Sequence, residues 1–161
     1  MPDKEVKIGE IAVTMAGDSL VASGVGSCVV ITLYDRQLKI GAMAHAMLPS
    51  RDGAGRTAEK GQRDKHYKTQ DVRYVETAID EMLKKIEAQG TKRKDLEAKI
   101  IGGANMFSAF ESDIGKGNVL CAKKKLKKEA VKLVGECVGG SQGRSVEFSL
   151  SSGIVTVKTK F

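Results

Sequence analysis

Two apolar runs joined by a short polar segment occupy most of the stretch between residues 23 and 49. The runs are 29–33 and 40–48, and the polar residues 34–39 connect them. Short apolar runs bounded by turn residues indicate buried strands, and this spacing predicts an antiparallel hairpin. Because a hairpin folds its two arms against each other, we expect Cys28 at the start of the first arm to lie near His45 in the second.

A thiol beside an imidazole is the minimum requirement for a cysteine nucleophile. Cys28 follows a turn of small residues that includes Gly24, Gly26 and Ser27. Glycine lets the backbone approach a ligand closely, so the N–H groups around Gly26, Ser27 and Cys28 are candidates for an oxyanion hole. For either residue alone a structural role is the alternative: a buried cysteine packs as a small hydrophobe, and a strand histidine is often a hydrogen-bonded core residue.

Composition favours one soluble domain with an aliphatic core. The chain has 161 residues, 41% of them hydrophobic and 29% charged, whereas aromatic residues make up only 4% and tryptophan is absent. We therefore expect residues 1–161 to form a single domain. The formal net charge of +7 predicts an anionic partner, which on charge alone is a nucleic acid, an anionic lipid or an acidic protein surface.

The ends and the cysteines of the sequence indicate a cytoplasmic protein without a cofactor. The charged N-terminus does not resemble a signal peptide, and no apolar run approaches the roughly 20 residues of a membrane span. The three cysteines, at positions 28, 121 and 137, are widely spaced and form no Cys-x-x-Cys pair. We therefore expect no metal, no disulfide framework and structural roles for Cys121 and Cys137.

The remaining pattern predicts an α+β fold, with two main helices packed on a mostly antiparallel sheet arrangement. An apolar stripe predicts a helix over residues 70–89, with Thr69 as its N-cap and Gly90 as its stop. A second helix opens at residues 114–118 with Asn118 as its expected N-cap, and its lysine run at 123–128 is either a solvated face or a docking patch. Strands are expected at 5–15, 20–23, 28–34, 40–47, 96–101, 131–138, 145–150 and 154–159, and the charged residues 50–66 are expected to form a loop beside the Cys28 site.

Several short blocks, taken together, resemble the CheD family of chemoreceptor glutamine deamidases. The blocks are Gly9-Glu10, Gly26-Ser27-Cys28-Val29, Leu33-Tyr34-Asp35, Gly41, His45, Leu48-Pro49, Arg73-Tyr74, residues 98–104, Ile114-Gly115 with Asn118, Gly139-Gly140 and residues 143–146. The resemblance implies an α/β sandwich related to deamidating toxins, with Cys28 and His45 as catalytic residues. It also implies two kinds of partner, methyl-accepting chemotaxis receptors and a CheC-type phosphatase, and contact with membranes only through the receptors.

One position departs from the pattern of that family. A threonine commonly precedes the cysteine by six residues as a third catalytic member, and this chain has Ala22 there. Ser23 replaces it only if the strand bulges, since neighbouring strand residues point to opposite faces. Alternatively a backbone carbonyl orients His45. If the missing hydroxyl matters, Ala22→Thr is expected to raise the rate on the order of 10-fold.

The alternative to an enzyme is a non-catalytic chemotaxis adaptor that binds and activates a CheC-type phosphatase. In that case the Cys28 site serves only as a docking cleft. A nucleic-acid partner is not expected, because no aromatic stacking residues accompany the lysine run and no recognition motif is present.

Overall fold

The computed structural model describes residues 3–50, 71–106 and 113–159. These residues form nine strands and two α-helices. The helices are α1 (Val75–Glu87) and α2 (Ile114–Lys128). The strands are β1 (Asp3–Glu5), β2 (Glu10–Met15), β3 (Ser19–Val25), β4 (Val29–Asp35), β5 (Ile40–Ala46), β6 (Leu96–Gly102), β7 (Lys132–Val138), β8 (Arg144–Ser149) and β9 (Val155–Thr159).

The strands form two stacked sheets, and the helices cover one of them. The first sheet has the order β1-β3-β8-β9 and the second β2-β5-β4-β6-β7. One apolar cluster, which includes Leu20, Val30 and Phe148, fills the space between the sheets. A second cluster, which includes Ile31 and Ile79, joins the five-stranded sheet to both helices. The predicted α+β class is confirmed, and all strand pairs except β1–β3 and β6–β7 are antiparallel.

The predicted hairpin of β4 and β5 lies at the centre of the five-stranded sheet. Its register pairs Val29 with Ala46 and Val30 with His45. Every residue of both strands is buried, because one face packs on the helices and the other on the second sheet. Asp35 stabilises the connecting turn, since its Oδ1 accepts hydrogen bonds from the N–H groups of Gln37 and Leu38. The centre of the fold is therefore specified by the most apolar segment of the sequence.

The single strand predicted for residues 5–15 is wrong. The segment is divided between β1 and β2, which belong to different sheets. Gly9 adopts φ +82°, a conformation that favours glycine, and the N–H of Glu10 donates to the carbonyl of Lys7 to close a turn. The chain therefore passes from one sheet to the other at this turn.

Helix α1 presents the predicted apolar stripe but begins later than expected. Six of its residues are buried: Val75, Ala78, Ile79, Met82, Leu83 and Ile86. Its first N–H groups, those of Val75 and Glu76, donate to the carbonyls of Leu48 and Pro49. The chain after β5 therefore caps this helix. The predicted cap Thr69 and nearly all of the predicted loop at residues 50–66 lie outside the described residues.

Helix α2 begins at Ile114, and its cap is not Asn118. The Asp113 carboxylate accepts the N–H of Lys116 at 2.9 Å, whereas Asn118 is a fully buried residue inside the helix. In the lysine run, Lys125 is buried and pairs with Asp80 and Glu129. Neither described helix combines the length and apolarity needed to traverse a bilayer.

Candidate active site

Cys28 lies in a bend between β3 and β4, and backbone hydrogen bonds hold this bend on both sides. The N–H of Gly103 donates to the Cys28 carbonyl at 2.8 Å, and the N–H of Ala104 donates to the Gly26 carbonyl at 2.9 Å. This approach requires glycine at Gly102, where a Cβ would fall on the Cys28 carbonyl oxygen. We term residues 26–28 the nucleophile loop.

The predicted hairpin places Cys28 and His45 on the same face of the five-stranded sheet. His45 pairs with Val30, and Cys28 precedes Val30 by two residues. Residues two apart on an extended chain share a face, so Cys28 and His45 occupy diagonal positions, whose Cα atoms are typically about 7–8 Å apart. Both residues are almost inaccessible, with 8% of Cys28 and 2% of His45 exposed.

A backbone carbonyl fixes the orientation and tautomer of the imidazole. Nδ1 of His45 lies 3.1 Å from the carbonyl oxygen of Val6. A carbonyl only accepts, so Nδ1 carries the proton and Nε2 is the basic nitrogen. Val6 is itself held in place, because its N–H donates to the Val21 carbonyl at 2.8 Å. Nε2 is buried and has no hydrogen-bond partner among the described residues.

Burial keeps both groups of the pair neutral at rest. Burial lowers the pKa of His45, and the hydrogen bond to the Val6 carbonyl only partly offsets this effect. Burial raises the pKa of the Cys28 thiol, against the smaller effect of a hydrogen bond from its own backbone. The arrangement is therefore a neutral thiol and a neutral imidazole on the same face of the sheet.

The N–H groups of Ser27 and Cys28 are available to a ligand. Within the described residues neither donates to a carbonyl of the protein. Met106 partly covers this loop, and its Cγ would lie 3.4 Å from a Cβ at Gly26. Because 45% of Met106 is exposed, this side chain forms an apolar rim beside the two donors. Two adjacent N–H groups that donate to no carbonyl of the described residues form the kind of nest that binds an oxyanion.

Sequence reasoning missed one member of the site, Asn118 of α2. Its Nδ2 donates to the carbonyl of Ser27 at 2.9 Å and to the carbonyl of Met47 at 3.1 Å. The signal in the sequence was a polar residue next to the apolar inner face formed by Val119, Ala122 and Leu126. Asparagine is also a common N-cap, which is the role that the sequence predicts for it.

The comparison with known proteins agrees with the resemblance found in the sequence. The family model described as CheD chemotactic sensory transduction matches residues 47–159. The chain belongs to the CheD family. A chemoreceptor glutamine deamidase CheD of Thermotoga maritima is 39% identical, over 96% of this chain and 90% of the relative. A probable chemoreceptor glutamine deamidase CheD of Pyrococcus abyssi is 40% identical, with the same two coverages. The chemoreceptor glutamine deamidase CheD of Halalkalibacterium halodurans is 39% identical, over 96% of this chain and 93% of the relative.

Ala22, where this CheD sequence departs from the common pattern, and the neighbouring Ser23 lie on a bulged strand. The register of β3 against β8 shifts between Ala22 and Val25, so the bulge that Ser23 requires is present. Ala22 is buried in the same cluster as Cys28, whereas Ser23 is exposed and lines a surface cavity of about 180 Å³ with residues of β8 and β9. Neither residue accepts the hydrogen bond of Nδ1 of His45, which donates to the Val6 carbonyl.

The other two cysteines of this CheD chain lie away from the nucleophile loop. The Cys121 thiol donates to the Pro49 carbonyl at 3.3 Å, and burial, followed by the charge of Glu76, raises its pKa to about 11. Cys137 is half-buried in β7. All three cysteines are free thiols. Within the described ranges no three His, Cys, Asp or Glu side chains are grouped as metal ligands.

Proposed function

We propose that this protein hydrolyses selected glutamine side-chain amides of methyl-accepting chemotaxis receptors to glutamate and ammonia. The observation that carries the proposal is the buried Nε2 of His45, which has no hydrogen-bond partner in the described part of the chain and lies on the same face as Cys28. A buried acceptor without a partner is costly, by about 1–3 kcal/mol, and is expected where a reaction uses it. Relatives that are 39–40% identical carry the name chemoreceptor glutamine deamidase, which supports a glutamine amide as the substrate.

The first half of the reaction forms a thioester. As the sulfur of Cys28 attacks the amide carbon, the thiol proton passes to Nε2 of His45 and the carbonyl electrons move onto oxygen. The N–H groups of Ser27 and Cys28 donate to this oxyanion. When the oxyanion collapses, the carbon–nitrogen bond breaks and His45 gives its proton to the leaving amide nitrogen, which departs as ammonia.

The second half restores the enzyme. Water attacks the thioester carbon while Nε2 of His45 accepts one of its protons. The same two N–H groups hold the second oxyanion, and its collapse breaks the carbon–sulfur bond. His45 returns the proton to the sulfur of Cys28, and the product glutamate leaves. Every atom of this scheme comes from the amide, water and the protein.

A CheC-type phosphatase is the second proposed partner, and its proposed site is the mouth of the active site. The resemblance to the CheD family supports the partner. The proposed mouth comprises residues 24–28, the loop at 50–66, nearly all of which lies outside the described residues, and the turn at 102–104. The N–H groups of Gly103 and Ala104 donate to the carbonyls of Cys28 and Gly26 and so hold this turn against the nucleophile loop. A partner seated there covers the route to Cys28.

Mass spectrometry of receptor cytoplasmic fragments incubated with the protein tests the proposed activity. The wild type should convert specific glutamines to glutamate, and Cys28→Ala should abolish the conversion while it leaves the fold intact. Cys121→Ala is the matched control and should retain activity within about twofold, because its thiol contacts the Pro49 carbonyl rather than the nucleophile loop. Persistent deamidation by Cys28→Ala would refute the mechanism. An inactive wild type that still activates a CheC-type phosphatase would favour the adaptor alternative.

A further inference from the structure

A buried amide on α2 holds two carbonyl groups that flank the candidate active site. Asn118 has no exposed surface, and its Nδ2 donates to the carbonyls of Ser27 and Met47 at 2.9 and 3.1 Å. A side-chain amide nitrogen has two protons, so both are used. Because carbonyl oxygens only accept, the nitrogen and not the oxygen of the amide must face them.

The bond to Ser27 sets the direction of a catalytic donor. A trans peptide is planar, so the carbonyl of Ser27 and the N–H of Cys28 point in opposite directions. Since the carbonyl points at Asn118, the N–H of Cys28 points away from α2. The preceding peptide is fixed in the same way, because Ala104 donates to the carbonyl of Gly26. Both N–H groups of the proposed oxyanion hole are therefore held through the carbonyls of their own peptides.

The bond to Met47 joins the nucleophile loop to the strand that carries the base. Met47 follows His45 by two residues, directly after the end of β5. One side chain thus connects the Cys28 segment and the His45 segment. The Oδ1 atom of Asn118 is buried without a hydrogen-bond partner among the described residues. An apolar residue would remove this unsatisfied acceptor, but it would leave the carbonyls of Ser27 and Met47 without the hydrogen bonds that Nδ2 provides. Asparagine at this position therefore holds both carbonyls at the cost of one buried, unpaired oxygen.

We propose that Asn118 is a positioning residue that holds the peptide between Ser27 and Cys28 with its N–H facing the oxyanion. The inference rests on the proposed deamidase function. Without Asn118 this peptide is free to rotate, which removes a donor and turns a carbonyl dipole toward developing negative charge. The thiol and the imidazole remain in place, so the loss appears in the transition state of deamidation rather than in the reactivity of the sulfur.

Asn118→Leu, which keeps the branched shape of the side chain but removes both donors, tests the proposal. We expect kcat for receptor-fragment deamidation to fall at least about 30-fold, with KM within about threefold of the wild type. Alkylation of Cys28 by iodoacetamide forms no oxyanion, and its rate should also stay within about threefold. Leu126→Val is the control, since it trims a buried side chain on the same helix about 12 Å further along. The kcat of Leu126→Val should stay within about threefold of the wild-type value.

A second variant and a structural measurement complete the test. If Asn118→Leu does not fold, the smaller variant Asn118→Ser takes its place in the test. Its kcat should be at least about 10-fold below that of the wild type. A folded variant with kcat within threefold of the wild type, or an equal loss in alkylation and deamidation, overturns the proposal, as does failure of both variants to fold. If the wild type itself does not deamidate, the proposed function fails. A crystal structure of the variant then decides the inference: a rotated Ser27 carbonyl supports it, and an unmoved one overturns it.

Discussion

The reactivity of this site depends on which nitrogen of His45 carries the proton. The Val6 carbonyl assigns that proton to Nδ1 and leaves Nε2 as the base. Burial then disfavours the charged forms of both His45 and Cys28, whose pKa values move away from each other. A stable thiolate–imidazolium pair is not expected at rest, so in the proposed mechanism the thiol loses its proton to His45 as the sulfur attacks.

The pH dependence of Cys28 alkylation follows from this neutral pair. Since the pKa of the thiol is raised above its ordinary value of 9.0, the alkylation rate should still be increasing at pH 9. The measurement uses iodoacetamide on a Cys121→Ala, Cys137→Ala background, so that only Cys28 reacts. A rate that reaches its plateau near pH 7 would show a stable ion pair instead.

The fall of the deamidation rate at low pH reports the protonation of His45. The pKa of His45 is lowered from its ordinary 6.5, so His45 remains mostly neutral at pH 6.5 and loses its basic form only below it. We expect kcat/KM at pH 6.5 to exceed half of its plateau value and to fall at lower pH. A midpoint above pH 7 in the rate profile contradicts this assignment.

The hydrogen bond between His45 and the Val6 carbonyl also predicts how substitutions at Ala22 and Ser23 affect the rate. Because Nδ1 of His45 already has an acceptor, Ser23→Ala should change kcat by less than about twofold. Ala22→Thr adds volume at a position that is 2% exposed, and we expect no increase beyond about threefold. Deamidation rates of the two variants and the wild type, measured side by side, test whether a hydroxyl at either position contributes. A 10-fold increase with Ala22→Thr would identify the hydroxyl as a missing member.

At the scale of elements, the site is positioned by an unusually close contact between α2 and the turn that follows β6. A Cβ on Gly115 would lie 2.6 Å from the carbonyl carbon and oxygen of Gly103. Gly103 in turn adopts φ +67° and donates its N–H to Cys28. The helix, the turn and the nucleophile loop therefore form one stack, and the position of Cys28 depends on how closely α2 approaches.

Gly115→Ala tests this contact, with Gly117→Ala as its matched control in the same helix. Helix propensity alone favours alanine by about 1 kcal/mol at either position. At Gly115 the clash with the backbone of Gly103 should outweigh that gain and lower the free energy of unfolding by about 1–2 kcal/mol. At Gly117 the new Cβ meets only Pro49 Cγ at 3.5 Å, so stability should rise. Urea unfolding measures the free energy of unfolding of both variants. A more stable Gly115→Ala would show that the turn at 102–104 shifts at little cost and would contradict the prediction.

On the scale of the whole molecule, the site lies where three layers contribute to one small volume. Val6, between β1 and β2, contributes the carbonyl that orients His45. The central hairpin carries His45 and follows directly from Cys28, and α2 adds Asn118 from the opposite side of the five-stranded sheet. The catalytic groups therefore depend on the packing of the entire domain.

Competition between the two proposed partners is the expected consequence at this scale. If a CheC-type phosphatase covers the mouth formed by the nucleophile loop and the turn at 102–104, saturating phosphatase should slow receptor deamidation at least about 10-fold. Cys28→Ala should still bind the phosphatase, which separates docking from catalysis. Undiminished turnover in the presence of bound phosphatase excludes a shared mouth.

The sequence by itself determined the elements whose signals are local. The two continuous apolar runs within residues 29–46 specify a buried hairpin, because strands that are covered on both faces are apolar throughout. The stripe from Val75 to Ile86 specifies the inner face of α1, because its spacing matches the helical period. The juxtaposition of Cys28 and His45 follows from the hairpin register alone. These features needed no knowledge of the rest of the chain.

Only the tertiary structure decided the features that depend on contacts between distant segments. The division of residues 5–15 between two sheets, the cap of α1 by the Leu48 and Pro49 carbonyls, and the role of the Val6 carbonyl toward His45 all involve backbone groups, which every residue carries. The role of Asn118 could not be predicted from the sequence for a related reason. An asparagine near a helix start reads as a cap, and its true partners at Ser27 and Met47 are 91 and 71 residues away. Backbone acceptors leave no mark on composition or periodicity, so only packing reveals which donor reaches them.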